Sequence, residues 1–353
     1  MRATVARMVT LALLVAACSP ADEPADSTTT TTSVATTSSS TSTSTTTSTT
    51  IDDRELSPLN GLPVDDPDTM ERRVMAVKID NHPNARPQSG IQEAEAVVEI
   101  RVEGSFTRFI ALFHTADSEY LGPIRSARPS DAMVVLPLSA TMVVSGGQPW
   151  VRAGISAIGV PFLTETASGM FRISSRRAPH NLYGSTLALR ETADSRGFSD
   201  ERPAQPWLPF GEMHEEAEDA TSARITFAQG TTVIWDWDGE TWVRTFGATA
   251  SSWRDQDGET GQVTADTVVA LVGNFYTASP PAGQRGSSVP ATNTVGEGRA
   301  VILSAGKVIE GTWSRDSAEE PFTLLTADGE PMMVPPGFLW LSIVPNVGSI
   351  TSD

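Results

Sequence analysis

The chain contains very little cysteine and very little lysine, and each shortage narrows the possible classes of protein. Cys18 is the only cysteine among 353 residues, so no internal disulfide can form. Of 25 basic residues, only Lys78 and Lys307 are lysines, and the rest are arginines with planar, bidentate side chains. The formal net charge of −18 makes nucleic acid a poor partner for the folded body, because both would repel each other.

Sequence patterns that mark well-known chemistry are also missing. The chain has no G-x-S-x-G nucleophile motif, no H-E-x-x-H or H-x-x-H spacing, and no GxxxxGK[ST] phosphate loop. No cofactor and no metal site are therefore predicted. We interpret the folded body as a binding protein rather than an enzyme.

The N-terminal residues have the layout of a bacterial lipoprotein signal. A short arginine-containing region precedes an apolar run at residues 8–17, which is too short to span a bilayer as a helix. The run ends in VAAC at residues 15–18, which resembles a bacterial lipobox. We predict a signal peptide over residues 1–17, lipidation of Cys18 with palmitate among the acyl chains, and an anchor on the extracytoplasmic face of the cell membrane. A plain signal peptide that contains a cysteine is the alternative.

A low-complexity tract follows the predicted anchor. Between residues 27 and 50, 22 of 24 residues are serine or threonine. Such a tract has almost no apolar surface to bury and is not expected to fold. We therefore predict that residues 18–55 consist of the lipidated cysteine and a disordered tether.

In the rest of the chain, the pattern of predicted secondary structure changes near residue 212. Residues 56–212 mix strand-like runs with a helical segment, which predicts an α+β or α/β domain with a mixed sheet. Residues 213–349 contain strand-like runs separated by turns such as Asp238-Gly239, which predicts a mostly β domain. The strand-like runs of the first domain lie at residues 74–79, 96–103, 108–114 and 140–147, and its helical segment at residues 130–137.

Four polar clusters, at residues 80–90, 103–108, 122–129 and 176–183, adjoin the strand-like runs of the first domain. They concentrate histidines, arginines and side-chain amides beside prolines and glycines. Ligands of α/β proteins bind at one edge of the sheet, so we predict that the clusters meet there in a single cleft. The predicted ligand-binding residues are Asp80, Asn81, His82, Arg86, Glu103, Arg108, Arg125, Ser126, Arg128, His180, Asn181 and Tyr183.

The first and last clusters contain the candidates for acid–base chemistry. Asp80 and His82 alternate along the chain, so both can point the same way, and a carboxylate can orient an imidazole as a general base. Together with His180 they are the candidate catalytic residues, and the alternative is that Asp80 caps a turn. Tyr183 is expected either to stack on a sugar or to cap the core. A zinc site formed by His82, His114 and His180 is conceivable, but no ligand spacing supports it.

The arginines of the middle clusters suit anions. Arg125 and Arg128 lie three residues apart, and two guanidinium groups on one face fit a carboxylate or a phosphate. Their partner is either internal, such as Glu103 or Asp131, or an external ligand, and both alternatives are open. Arg108 is expected to lie across the strands from Arg101 or Glu99 in a structural ion pair.

Six motifs together resemble a known family. Four of them look like the N-terminal domain of the YerB-like bacterial lipoproteins: IDNHPNARPQSG, VEGSFTRFIALFH, GPIRSARPSD and RAPHNLYGS. Two more are similar to the C-terminal domain of that family: GEGRAVILSAGKVIEGTWSRDS and PMMVPPGFLWLSIVP. The resemblance covers nearly all of residues 57–347. It implies two domains on a lipid anchor and a link to peptidoglycan metabolism, without an established reaction.

These observations favour a cell-envelope lipoprotein that binds an anionic or glycan-like ligand, or a cell-wall enzyme as partner. The β domain would then be an interaction module. The alternative is a hydrolase or other enzyme that acts on a wall polymer through Asp80, His82 and His180.

Overall fold

Residues 52–353 are described by the computed structural model, and strands dominate them. The predicted signal peptide, the lipidation at Cys18 and most of the predicted tether lie outside the described residues. Within residues 52–353, no helix is both long enough and apolar enough to cross a membrane.

The first half mixes short helices with strands. Its strands are β1 (Met75–Asp80), β2 (Ala96–Arg101), β3 (Thr107–Phe113), β4 (Thr141–Val143), β5 (Phe162–Leu163), β6 (Met170–Arg172) and β7 (Leu182–Gly184). Its α-helices are α1 (Pro129–Val135), α2 (Pro149–Ala157) and α3 (Thr186–Ser195). Short 3₁₀ segments lie before or between these elements at Pro67–Glu71, Pro83–Ala85, Ile91–Glu93, Glu103–Ser105 and Leu136–Leu138.

The second half consists of strands, as its sequence predicts. In chain order they are β8 (Glu218–Asp219), β9 (Ser222–Ala228), β10 (Thr231–Trp237), β11 (Trp242–Phe246), β12 (Thr249–Ala250), β13 (Ser252–Arg254), β14 (Thr260–Gln262), β15 (Thr264–Ala265), β16 (Thr267–Gly273), β17 (Phe275–Ala278), β18 (Val289–Thr292), β19 (Gly296–Ser304), β20 (Lys307–Arg315), β21 (Thr323–Thr326), β22 (Leu339–Pro345) and β23 (Ser349–Ser352). The mixed first half and the mostly β second half confirm the predicted fold class.

One large sheet contains strands from both halves. Its order is β21-β20-β19-β16-β22-β2-β3-β1-β4-β5, with β8 beside β20. β22 runs parallel to β2 and places Trp340 opposite Val97. Strands β9, β10, β11, β12, β15 and β23 form a second sheet.

Both parts of the predicted division into two consecutive domains contribute strands to the large sheet. Residues 52–353 form one compact unit, and β2 and β22 are neighbours although they are far apart in the sequence. The domain boundary near residue 212 stays a prediction from the sequence pattern. A local sequence pattern gives no information about pairing between distant strands, so it could not predict that the two halves share a sheet.

The large sheet is apolar on both faces. One face of β1, β2 and β3 contributes Ala76, Val98 and Leu112 to a core that includes apolar residues of α1 and α2. The other face contributes residues such as Val77 to a second core, shared with α3 and the second sheet. A strand that is covered on both sides reads as a continuous apolar run, which explains the sequence of β1.

Strand direction brings several strand ends to one edge of this sheet. β1 and β2 are both antiparallel to β3, while β4 is parallel to β1, and β22 is parallel to β2 and β16. The carboxyl ends of β1, β2, β4, β16 and β22 therefore lie along one edge, together with the amino end of β3. Polar residues that follow these strands are concentrated there.

Candidate functional site

Asp80 is the centre of the polar residues at this edge. It is the last residue of β1, and its side chain is only 4% exposed. Asp80 Oδ2 lies 2.7 Å from His180 Nδ1 and 3.0 Å from Arg125 Nε. The Arg125 N–H is not aligned for a hydrogen bond, so that contact is an ion pair only.

Backbone hydrogen bonds position the two partners of Asp80. The Asp80 amide donates to Pro123 O at 2.8 Å, and the Arg125 amide donates to Lys78 O at 2.7 Å. The Ile124 amide donates to Leu182 O at 2.6 Å. The segment before Arg125 therefore lies between β1 and β7, and it brings His180, just before β7, to the end of β1.

The two histidines of the site stack on each other. The rings of His82 and His180 are 4.7 Å apart and nearly parallel. The Asp80 carboxylate can only accept a hydrogen bond, so in neutral His180 the proton is on Nδ1 and Nε2 is unprotonated. His82 Nδ1 accepts from the Asn84 amide at 3.1 Å, so Nε2 of neutral His82 carries the proton. Burial, and then the neighbouring His180, lower the pKa of His82.

Two further arginines lie beside Asp80. Arg108 of β3 is paired in register with Asp80, and its Nη1 donates to Ser126 O at 2.9 Å. Burial, reinforced by the charge of Arg128, lowers the pKa of Arg108 to about 10. Arg128 donates to the same carbonyl and binds Glu103 Oε2 at 2.7 Å. Burial raises the pKa of Glu103, but the contact with Arg128 outweighs it and lowers that pKa overall.

Several N–H donors of Arg125 and Arg108 have no hydrogen-bond acceptor in the described part of the protein. Within residues 52–353, neither Nη of Arg125 has a hydrogen-bond partner, and Arg108 uses only Nη1. The Arg125 side chain is 22% exposed. The arrangement offers guanidinium donors and a carboxylate-oriented imidazole at one sheet edge, which suits an anionic group.

The comparisons with known proteins agree with the architecture. The family models described as "Protein of unknown function (DUF3048)" match residues 59–199 with the N-terminal domain and residues 223–341 with the C-terminal domain. "Putative lipoprotein YerB" of Bacillus subtilis strain 168 is 25% identical over 295 residues, which cover 82% of this chain and 86% of the relative. The chain belongs to the YerB-like, two-domain family.

A solved structure supports the YerB-like fold independently. The crystal structure of the YerB protein from Bacillus subtilis has a TM-score of 0.71 and 24% sequence identity, covering 84% of this chain and 100% of that chain. At this level of identity the likeness is one of fold. The description of the YerB-like family names no function.

The predicted site residues of the YerB-like chain do not all meet at Asp80. His82, Arg125 and His180 surround it, with Glu103, Arg108, Ser126 and Arg128 adjoining. Asn81 and Arg86 instead line a neighbouring cavity with Arg244. Asn81 points away from Asp80 because successive residues of an extended chain face opposite sides, and Arg86 follows a 3₁₀ turn and is held by Asn81 and the Phe246 ring.

Asn181 and Tyr183 stabilise the hairpin of β6 and β7, and His180 lies in the segment that connects these two strands. Asn181 Oδ1 accepts from Arg172 at 2.7 Å, and its Nδ2 donates to Ile173 O at 3.2 Å. Tyr183 is 1% exposed and stacks on Tyr120 at 4.6 Å, which favours the core alternative over sugar stacking. Burial raises the pKa of Tyr183.

The expected partners of Arg108 need correction, and His114 lies apart from the other two histidines of the first half. Arg108 is paired in register with Ile100 and Asp80 rather than with Glu99 or Arg101, because the 3₁₀ turn at Glu103–Ser105 sets that register. His114 is fully buried, and its Nε2 lies 3.1 Å from Met70 O, in the core rather than beside the other histidines. Among the described residues, no group of three or more His, Cys, Asp or Glu is placed to hold a metal ion.

Two buried ion pairs lie outside the predicted site residues. Lys78 Nζ is 2.6 Å from Asp131 Oδ1, and both side chains are fully buried. Glu99 accepts from Arg244 at 2.8 and 2.9 Å, and is also fully buried. The one lysine within an apolar strand run is a sequence signal for the first pair, because a buried ammonium needs an acidic partner. Nothing local marks the second pair.

Proposed function

We propose that the protein is a cell-envelope lipoprotein that binds an anionic ligand linked to cell-wall metabolism. The binding site is formed by Asp80, His180, Arg125 and the adjoining Arg108. The observation that carries this proposal is the convergence of guanidinium groups with unused donors at one edge of the sheet.

Charge counting supports an external anion. Arg108, Arg125 and Arg128 face two carboxylates, Asp80 and Glu103, so one positive charge is in excess before either histidine is protonated. The chain as a whole has a formal net charge of −18, which repels distant anions. At physiological salt that repulsion is screened beyond about 8 Å, so the site acts on an anion at close range.

The class of ligand follows from the donor geometry. Guanidinium groups bind carboxylates and phosphates through parallel N–H bonds, and both groups occur in wall polymers. The predicted membrane anchor and the lipoprotein name of the Bacillus subtilis relative support a location where such polymers are available. A cell-wall enzyme that presents an acidic surface would use the same donors.

The anchor is tested by a Cys18→Ser variant. Because residues 15–18 read VAAC, the wild-type chain is expected to carry acyl mass at Cys18 and to fractionate with membranes. Cys18→Ser should lose the acyl mass in intact-protein mass spectrometry and leave the membrane fraction. Equal membrane retention of both proteins would place the anchor elsewhere.

The binding site is tested by an Arg125→Gln variant. A charge-assisted hydrogen bond is worth roughly 1.5–3 kcal/mol, so affinity should fall about ten- to a hundredfold. The measurement is calorimetric titration of the full chain with a soluble muropeptide fraction and with inorganic phosphate, beside a thermal melt.

Arg196→Gln is the matched control for that variant. Arg196 is an exposed arginine at the end of α3, outside the site, so the charge change is equal. Affinity should be unchanged in the control. Equal affinity in Arg125→Gln and wild type, with an unchanged melt, would remove Arg125 from the site.

Acid–base catalysis is a second candidate function, favoured by the contact between Asp80 and His180. The 2.7 Å contact orients His180 with an unprotonated Nε2, which is the arrangement of a general base. A hydrolase would release products from wall polymer, and His180→Gln would abolish release while binding persists. Binding without turnover supports the first candidate.

A further inference from the structure

A second cavity lies between the two halves of the chain, apart from the Asp80 site. Its volume is about 170 Å³. Arg86 and Phe109 line it from the first half, and Arg244, Phe246 and Trp340 line it from the second. The cavity therefore combines two guanidinium groups with three aromatic rings.

The two arginines of this cavity are held in place by the protein. Arg86 Nε donates to Asn81 Oδ1 at 2.9 Å, its Nη2 donates to Asn81 O at 3.0 Å, and its guanidinium lies 4.1 Å from the centre of the Phe246 ring. Arg244 is only 2% exposed and donates to Glu99 and to Ser251 Oγ. These contacts fix both charged groups before any ligand arrives, which reduces the entropy lost on binding.

The positive charge of the cavity exceeds its internal compensation. Glu99 is the carboxylate in direct contact with Arg244, and it already accepts from Thr107 and Trp340 as well. Arg244 Nε is buried and has no hydrogen-bond partner within residues 52–353. Burial, and then the charge of Arg244, lower the pKa of Arg86, although Glu99 and Asp80 oppose this.

The volume and the lining define the class of ligand. An apolar cavity of about 150 Å³ holds one benzene molecule, so 170 Å³ accommodates one small organic molecule. The rings of Phe109, Phe246 and Trp340 suit a flat or compact apolar body, and the guanidinium groups suit a carboxylate. We infer that this cavity is a binding site for a small organic carboxylate, with its charge toward Arg86 and Arg244 and its apolar part against the aromatic rings.

Benzoate is the probe for this site, and benzamide is its neutral counterpart. Calorimetric titration of the full chain should show saturable binding of benzoate, and at least about tenfold weaker binding of benzamide. Inorganic phosphate should compete poorly, because it lacks an apolar body. Absence of saturable benzoate binding, or equal binding of benzamide, would overturn the inference.

Two variants place the probe in the cavity. Arg86→Gln removes one charge and should weaken benzoate binding by about tenfold or more. Ala250→Trp keeps both arginines but puts a large side chain on an exposed lining residue, and should also abolish binding. Full benzoate affinity in Ala250→Trp would show that the probe binds elsewhere.

Matched controls separate this site from the Asp80 site and from general charge effects. Arg224 is an exposed arginine of β9, in the same sheet as Arg244, so Arg224→Gln makes the same charge change away from the cavity. Neither Arg224→Gln nor Arg125→Gln should change benzoate affinity. A loss of affinity in either control would mean that benzoate responds to net charge or to the Asp80 site, and would overturn the inference.

Discussion

The Glu99→Gln variant is expected to lose about 3–5 kcal/mol of unfolding free energy, because it leaves the Arg244 guanidinium buried without a counter-charge. Glu99 is fully buried in β2 and accepts hydrogen bonds from Arg244, Thr107 and Trp340. Arg244 and Trp340 belong to the second half of the chain. The loss should therefore act on the junction between the halves, and unfolding should remain a single transition.

Two comparisons isolate the buried charge in urea unfolding measurements. Glu310→Gln removes the carboxylate of an exposed pair with Arg299, whose side chains are 50% and 38% exposed, and should change stability by no more than about 1 kcal/mol. The double variant Glu99→Gln/Arg244→Met removes both buried charges and should recover a large part of the loss. Equal losses of unfolding free energy in Glu99→Gln and Glu310→Gln would show that the buried ion pair contributes no more to stability than the exposed one.

The buried Lys78 should make stability rise with pH in the weakly alkaline range. Burial, opposed by the contact with Asp131, lowers the pKa of Lys78 to about 8 in the folded chain from its ordinary 10.5. Between these two values the unfolded chain binds the extra proton, so unfolding free energy increases with pH. Each pH unit within the window contributes up to about 1.4 kcal/mol. Measured from pH 8 to 9.5, the gain should be about 1.5 kcal/mol, because at pH 8 the folded chain still binds about half of that proton.

The low lysine content makes this prediction easy to resolve. The reference is the double variant Lys78→Met/Asp131→Asn, which removes both buried charges and should lose the pH slope. Lys307→Met is the control, since Lys307 is the only other lysine and is 46% exposed, and it should keep the slope. With lysine-selective isotope labelling, an NMR titration should show the Lys78 signal moving near pH 8. A midpoint near 10.5 would contradict the prediction.

The general layout of the fold could be predicted from the sequence because the strands of the first half are short apolar runs between clear turns. The predicted helix at residues 130–137 corresponds to α1 and the 3₁₀ turn that follows it. The position of β22 could not be predicted. It lies between β16 and β2, and nothing in a local pattern specifies which distant strand is its neighbour.

The candidate site was partly predictable for a similar reason. Asp80 and His180 lie at or just before a strand, and a sheet edge collects such residues, whereas Arg125 reaches the edge through its backbone hydrogen bond to Lys78 of β1. Arg86 belongs to the same motif as Asp80 yet lies in the other cavity, because its direction depends on contacts with Asn81 and Phe246. The Phe246 contact comes from the second half of the chain, so the motif alone cannot indicate it.

The anion site around Asp80 is tested most directly by an experimental structure of the full chain with bound inorganic phosphate or a muropeptide. We predict that an anionic group of the ligand lies within about 3 Å of guanidinium nitrogens of Arg125 and Arg108, beside His180. Arg125→Gln crystals treated in the same way should lack that group. An anion that binds elsewhere on the chain, with the Asp80 edge unchanged at saturating ligand, would contradict the proposed function.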